Sequence, residues 1–329
     1  MLRAFGGADN FVDAELPMPA LRAGDVRIKV EAASFNPIDW QIRKGPAGDV
    51  PRSMILGRDL SGTVEAVHES VAGFSVGDEV FSYVCTRASS GTYAQYVSVP
   101  AELVARKPAS LTHAQAAAVP VAGITASLAL HKAGAGAGKA VFVAGGAGGV
   151  GTFAILLARQ LGVRHLITTA GNPRSRAYLI ERCGLADDQI VDYKAADFVE
   201  RAMARNGGAF DVVLDLVGGR MLRACCALLA VDANLASITE APSQDEFEIL
   251  FEKNASFHAV GAHAYSLGED RSVWRKYRDM LEQLSAHFAS GALPPPPIDI
   301  LGTMSADVVR QAHGLLENNA VQGKLVMTC

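Results

Sequence analysis

The residues of this chain whose types and spacing could do chemistry are, first of all, glycines. Gly146, Gly148 and Gly151 match G-x-G-x-x-G. Glycine at those places allows a tight turn, lets backbone N–H groups approach a pyrophosphate, and lets a helix pack closely on a strand. The phosphate then sits at the positive end of that helix. The eight histidines form no metal-ligand spacing, and the five cysteines are scattered. No Ser/His/Asp or Cys/His pairing announces a nucleophile. The chemistry on offer is binding of a dinucleotide, with the bound group supplying the reactivity.

The elements that must position this turn are legible on both sides of it. Ala140–Ala144 is a short apolar run, the length of a strand covered on both faces. Val150, Phe153, Ala154, Leu157, Ala158 and Leu161 recur at three- and four-residue spacing, which predicts a helix to Leu161 with one apolar face. Flanked in this way, the glycine motif is a strong signal. Strands at His165–Ala170, Gln189–Val191, Phe210–Val217, Asn234–Thr239 and Phe257–Gly261 alternate with helices, one of them around Ser175–Cys183. That alternation implies a parallel sheet, which binds ligands at the carboxyl ends of its strands.

The first third of the chain reads as strands. Val26, Ile28 and Val30 alternate with charged neighbours, Ser61–Val67 alternates similarly, and Gly77-Asp78 sets a turn before Val80-Phe81. Gly91–Val99 is a further strand candidate, ended by Pro100. Many short strands with Gly/Pro punctuation suggest a barrel-like β domain. Ala114–Leu130 is alanine-rich and interrupted by Pro120 and Gly123, so it reads as buried helix and turn and is short of a membrane span. The last third contains an amphipathic helix at Trp274–Ser290, a rigid extended connector at Pro294–Pro297, a helix at Ala306–Glu317 and a closing strand at Gly323–Met327. The dinucleotide unit is therefore expected at 119–262, inserted between the two halves, 1–118 and 263–329, of a β-rich domain.

The composition of the 329 residues is that of a globular protein, half hydrophobic and 19% charged. The net charge is −4 and no basic run stands out, so nucleic acid is not an expected partner. The N-terminal MLRAFGGADNF has no apolar signal-peptide core, and an odd number of scattered cysteines reads as reduced thiols in a cytoplasmic protein.

The second strand of a dinucleotide unit usually ends in Asp or Glu when the ribose carries a free 2′-OH. Here it ends Thr168-Thr169-Ala170-Gly171-Asn172, with Arg174, Ser175 and Arg176 just beyond. A 2′-phosphate is repelled by a carboxylate and paired bidentately by guanidinium. NADPH is therefore favoured over NADH, and the choice between Arg174 and Arg176 is open.

The arrangement resembles the medium-chain dehydrogenase/reductase superfamily, most closely its zinc-free quinone oxidoreductase branch, which includes zeta-crystallin-like proteins. The resemblance is carried by Ser34–Gly45, Leu56–Gly62, Gly77–Val80, Gly91–Tyr96, Gly123–Ala126, Gly145–Gly151, Asp211–Gly219 and Gly323–Val326, spread over nearly the whole chain. It implies an α/β protein in which a GroES-like, β-barrel-type catalytic domain accompanies a Rossmann domain. Where zinc alcohol dehydrogenases place a cysteine, a Gly-His-Glu and a further cysteine, this chain has Asn36, Gly57-Arg58-Asp59 and a position near Val121. Zinc needs three or four converging N, S or O ligands, so no metal is expected.

The same resemblance implies that Asn36 and Asp39 lie beside the nicotinamide and substrate, with Asn36 donating to a substrate carbonyl or else serving as a turn residue before Pro37. Asp39 holds Arg58 or a backbone turn. Thr125 packs by the nicotinamide ring. The implied cofactor contacts are Gly145, Gly146, Ala147, Gly148, Gly149, Val150, Gly151, Arg174, Ser175, Arg176, Tyr193, Val217, His263 and Lys324. No proton donor stands out. Lys44–Leu56, where many relatives carry a tyrosine, contains none, and Tyr83, Tyr93 or solvent are the replacements.

The expected reaction is hydride transfer from NADPH to a quinone or to an α,β-unsaturated carbonyl. The rival readings are a non-enzymatic NADPH-binding scaffold, sensor or RNA-binding protein of the same fold, and a zinc-type alcohol dehydrogenase with unusual ligands. The resemblance also implies a homodimer in which the strand near Phe257–Ala262 pairs across a two-fold axis, although an ordinary edge strand accounts for that segment equally well.

Overall fold

A computed structural model describes residues 1–45, 55–85 and 90–329. The chain divides into two compact units, Met1–Ile124 with His263–Cys329, and Thr125–Ala262. The first crossing between them falls inside a helix, six residues later than the expected boundary at 118/119.

The first unit begins with β1 (Asp25–Ser34), α1 (Pro37–Lys44), β2 (Asp59–Val67), β3 (Glu79–Tyr83), β4 (Tyr96–Pro100), β5 (Val104–Arg106) and α2 (His113–Ala117). The helix α3 (Pro120–Lys132) leads out of it. Asn36 and Pro37 explain why α1 forms: Asn36 is extended at the N-cap, Pro37 takes the first helical position, and the Asp39 carboxylate accepts the Asn36 N–H at 2.8 Å. The predicted strand at Gly91–Val99 is confined to β4. The N–H groups of Gly91, Thr92 and Tyr93 bond instead to the carbonyls of Ile55, Gly57 and Leu56, so that stretch leaves the ladder.

The second unit runs β6 (Ala140–Ala144), α4 (Gly149–Gln160), β7 (His165–Ala170), α5 (Pro173–Glu181), β8 (Ile190–Asp192), α6 (Phe198–Asn206), β9 (Phe210–Asp215), α7 (Arg220–Leu228), β10 (Leu229–Ser237), α8 (Gln244–Glu252) and β11 (Ser256–Ala259). Its six strands lie in the order β11-β10-β9-β6-β7-β8, and every pairing is parallel. The order reverses direction between β6 and β9, which is where such sheets open a ligand crevice. On one face of the sheet Phe142, Val213 and Leu235, which are in register on neighbouring strands, pack with Leu222, Cys225 and Cys226 of α7 into one core.

The chain then returns to the first unit with α9 (Arg271–Ala289), β12 (Ile298–Thr303), α10 (Ala306–Glu317) and β13 (Lys324–Thr328). Among the described residues the sheet there is seven-stranded, in the order β12-β13-β1-β2-β3-β5, with β4 also paired to β1. All its pairings are antiparallel except β12 with β13. The sequence does not signal β12, because the strand is short, half-exposed and directly follows the proline run.

Candidate functional site

In the 125–262 unit the chain leaves β6 at Gly145 and enters α4 through Gly148. The fit leaves no room for a side chain at either glycine of the pair Gly146 and Gly151. A Cβ on Gly151 would stand 2.2 Å from Gly145 O, and one on Gly146 would stand 2.0 Å from Thr168 Oγ1. Helix α4 has no side-chain cap, so the first N–H groups of the helix, from Gly149, Val150 and Gly151, point out of an uncapped positive end. This is a cradle for a pyrophosphate, and the residues present fit one.

The loop after β9 stands across the crevice from that turn. A Cβ on Gly145 would meet Val217 Cγ2 at 2.9 Å, and Val217 is half exposed. The loop is held by Asp215, which is fully buried. Its Oδ1 accepts the N–H groups of Val217 and Gly218 at 3.1 and 2.9 Å, and its Oδ2 accepts the hydroxyls of Ser237 and Thr239 at 3.0 and 3.1 Å. The carboxylate turns the chain, which is why β9 stops at Asp215 short of Val217. Asp215 is a residue that spacing arguments pass over. Its signal is an acid at the end of an apolar strand followed by Leu-Val-Gly-Gly.

Beyond β7, the Tyr193 ring lies against Gly171, where a Cβ would come within 2.4 Å of it, and Tyr193 is 43% exposed. Asn172 caps α5: its Oδ1 accepts the Ser175 N–H at 2.8 Å, and Ser175 Oγ donates to Asn172 O at 2.9 Å. Ser175 is thus taken up by the cap. Arg176 is also committed, to Asp187 and to Ile190 O. Arg174 is exposed and has no partner among the described residues. Thr125 is buried in α3.

The other unit holds a buried polar cluster. Asp59, at the start of β2, is 0% exposed. Its Oδ2 accepts from Ser34 Oγ at 2.8 Å, Asn36 Nδ2 at 2.8 Å and Lys324 Nζ at 3.2 Å, and its Oδ1 accepts Val121 N at 2.9 Å. Lys324 Nζ also donates to Asn36 Oδ1 at 2.6 Å and to Phe35 O at 3.1 Å. The Asn36 side chain therefore does not cap α1. It bridges the ion pair. Lys324, expected on a cofactor, is 4% exposed and spends its ammonium inside this cluster. His263 is exposed, and its carbonyl accepts the Ser266 hydroxyl at 2.8 Å.

Asp39 holds the backbone turn and not an Arg58 ion pair. Burial pushes its carboxyl up to about 6, against the pull of the nearby Arg58 charge. Tyr93 and Tyr83 are both buried, with phenol pKa values raised well above the usual range by that burial. The Tyr93 hydroxyl lies 3.4 Å from His313 Nε2 of α10, and Tyr83 stacks edge-on against Tyr277. Both rings are core residues. Residues 46–54 and 86–89, which include most of the tyrosine-free stretch Lys44–Leu56, lie outside the described residues.

The positions that match zinc ligands in relatives do come together here, but their chemistry does not fit zinc. Asn36 and Val121 N both bond to Asp59, beside Arg58, and the Lys324 ammonium already sits among them. One carboxylate with an amide and a buried cation is no substitute for three N, S or O ligands. Among the described residues no three His, Cys, Asp or Glu converge.

The chain is similar to known proteins over nearly its whole length. The Alcohol dehydrogenase GroES-like domain family matches residues 22–109, and the Zinc-binding dehydrogenase family matches 185–327. A 2-methylene-furan-3-one reductase of Solanum lycopersicum is 31% identical over 98% of this chain and 76% of its own length. An NADPH-dependent alkenal/one oxidoreductase of Arabidopsis thaliana is 28% identical over 98% of this chain and 77% of its own length. The solved quinone oxidoreductase of Coxiella burnetii superposes with a TM-score of 0.81 at 30% identity, covering 99% of this chain and 97% of that one.

Proposed function

The chain belongs to the medium-chain dehydrogenase/reductase superfamily, in its quinone oxidoreductase branch, and on that footing we propose that it is an NADPH-dependent, metal-free reductase of quinones or α,β-unsaturated carbonyls. The observation that carries this reading is the Asn36–Asp59–Lys324 cluster. It puts an amide and an ammonium where an alcohol dehydrogenase needs a metal to acidify a hydroxyl. Reduction of a conjugated carbonyl has no such need. Its oxygen gains negative charge and asks for a hydrogen-bond donor.

When bound, NADPH supplies the hydride. The chain's own part is to hold and orient. The open N–H groups of Gly149, Val150 and Gly151, with the turn Gly145–Gly148, receive the pyrophosphate. Arg174 and Tyr193 receive the 2′-phosphate, and Val217 and Thr125 pack by the nicotinamide. Asn36 donates to the acceptor oxygen. Asp39 keeps the α1 N-terminus in place for it.

No described helix is long and apolar enough to cross a membrane. The acidic net charge supports a small-molecule partner rather than nucleic acid. Cytoplasm is our reading of the compartment, supported by five unpaired cysteines. For assembly we favour a homodimer through β11. Among the described residues that strand pairs with β10 alone, and Phe251 in the preceding helix α8 is 87% exposed.

The test is NADPH oxidation followed by absorbance with 1,4-quinones and with 2-alkenals, repeated with NADH and with a chelator. Turnover with NADPH that chelation leaves intact is expected, and the faster acceptor class names the substrate. Activity lost on chelation overturns the metal-free reading. NADPH binding without turnover of either class moves the assignment to a binding protein.

A further inference from the structure

We propose that Lys324 is a positioning residue for the acceptor: paired with Asp59, its ammonium fixes and polarises the Asn36 amide so that the second Nδ2 hydrogen meets the acceptor oxygen. The inference deepens the reductase reading and rests on it.

The donor and acceptor inventory leads to it. Lys324 Nζ has three hydrogens and three acceptors: Phe35 O, Asn36 Oδ1 and Asp59 Oδ2. None is left for a ligand, so Lys324 can act only through what it touches. Its shortest bond, 2.6 Å, goes to Asn36 Oδ1. Asn36 Nδ2 gives one hydrogen to Asp59. The other is unclaimed among the described residues. The amide cannot turn over, because a flip would set its NH2 against the ammonium and its oxygen against the carboxylate.

The electrostatics point the same way. A charge-assisted bond to an amide oxygen draws electrons from the nitrogen and makes its N–H a better donor, and low surrounding dielectric strengthens the chain of bonds. Asn36 is 3% exposed, Asp59 0% and Lys324 4%. The scaffold is rigid: Asp59 and Val326 of β13 both pair with Ser34 of β1, two residues before Asn36. A preformed donor held on strands and a helix N-terminus is the arrangement that stabilises developing oxyanion charge without reorganisation.

The experiment uses the whole chain and compares Lys324→Gln, Lys324→Arg, the charge-neutral pair Asp59→Asn with Lys324→Gln, and Lys324→Gln in an Asn36→Ala background. The pair removes both buried charges together, so it avoids the unpaired carboxylate that the single change leaves. Expected is a fall in kcat of about 10- to 100-fold for Lys324→Gln and for the pair, partial rescue by Lys324→Arg, and an NADPH Kd unchanged within about twofold. In the Asn36→Ala background the same change should cost less than about threefold, because the two residues act as one unit. A folded charge-neutral pair with wild-type kcat overturns the inference. So does a weakened NADPH Kd with kcat intact, which returns Lys324 to the cofactor. Wild-type protein that turns over no acceptor removes the reductase reading itself, a result separate from either.

Discussion

Arg176 Nε donates to Asp187 Oδ1 at 2.7 Å, and the rest of its guanidinium bonds to Asp187 O and Ile190 O at 3.0 Å. This arginine braces the segment that leads into β8. The neighbouring Arg174 stays exposed and unpaired among the described residues. Arg174→Ala should therefore weaken NADPH binding by roughly 2 kcal/mol, about 30-fold, and leave NADH binding unchanged. Arg176→Ala should lower the melting temperature and keep the NADPH/NADH ratio. Titration of both cofactors by nucleotide fluorescence separates the two. A cofactor ratio that moves only with Arg176 would reverse the assignment.

Glycine substitutions at the turn divide into two kinds. Gly151→Ala drives a Cβ to 2.2 Å from the Gly145 carbonyl oxygen, a backbone atom that cannot yield cheaply. It should cost about 3 kcal/mol of stability and abolish NADPH binding. Gly148 has φ −80°, and its nearest neighbour would be 3.4 Å from a Cβ. Gly148→Ala should fold normally, so any loss of NADPH affinity there reports on the ligand. Thermal unfolding with and without NADPH reads both.

Asp215→Ala should release the loop after β9. It leaves the Val217 and Gly218 N–H groups and the Ser237 and Thr239 hydroxyls without their buried acceptor. We expect a loss of about 3 kcal/mol in urea unfolding, since several hydrogen bonds to a buried charge go together. Asp215→Asn keeps an acceptor oxygen and should lose less. Equal losses for the two changes would contradict this account.

Acid should destabilise the protein through His313. Burial, reinforced by the Arg43 charge, lowers its imidazole to about 3. A depressed base favours the folded state fully above the unfolded value of about 6.5 and loses that favour as pH falls toward 3. Asp39 works in the opposite sense. Its carboxyl, raised to about 6 chiefly by burial, favours folding below the unfolded value of about 4 and loses that favour as pH rises through 6. Between about pH 4 and 6 the two partly cancel. His313→Gln should flatten the acid limb of a stability-against-pH curve, and Asp39→Asn should raise stability above pH 6. Chemical denaturation at a series of pH values would show either slope.

How much of this was legible depends on the range of the interactions. The strand β7 and the helix α10 stand at the residues their patterns predict, His165–Ala170 and Ala306–Glu317, because alternation and three-to-four spacing are local. The Gly146–Gly151 turn is local too. The apolar pattern carries β9 two residues too far, to Val217, since Leu216 and Val217 continue it and only the Asp215 side chain stops the strand. The Gly91–Tyr93 stretch looks like a strand until its N–H groups are found bonded to residues 55–57.

The amino-acid order by itself determined a parallel dinucleotide-binding sheet, an accompanying β-rich unit, and the absence of an acid where a 2′-phosphate would sit, because each of these is written in neighbouring residues. Only the tertiary structure decided that Arg176 is occupied, that Lys324 faces inward, and that Asn36 bridges a buried ion pair. Asn36 and Lys324 are 288 residues apart in sequence. No spacing rule spans that distance. What joins them is β1 lying between β2 and β13, which sets their side chains against one buried carboxylate.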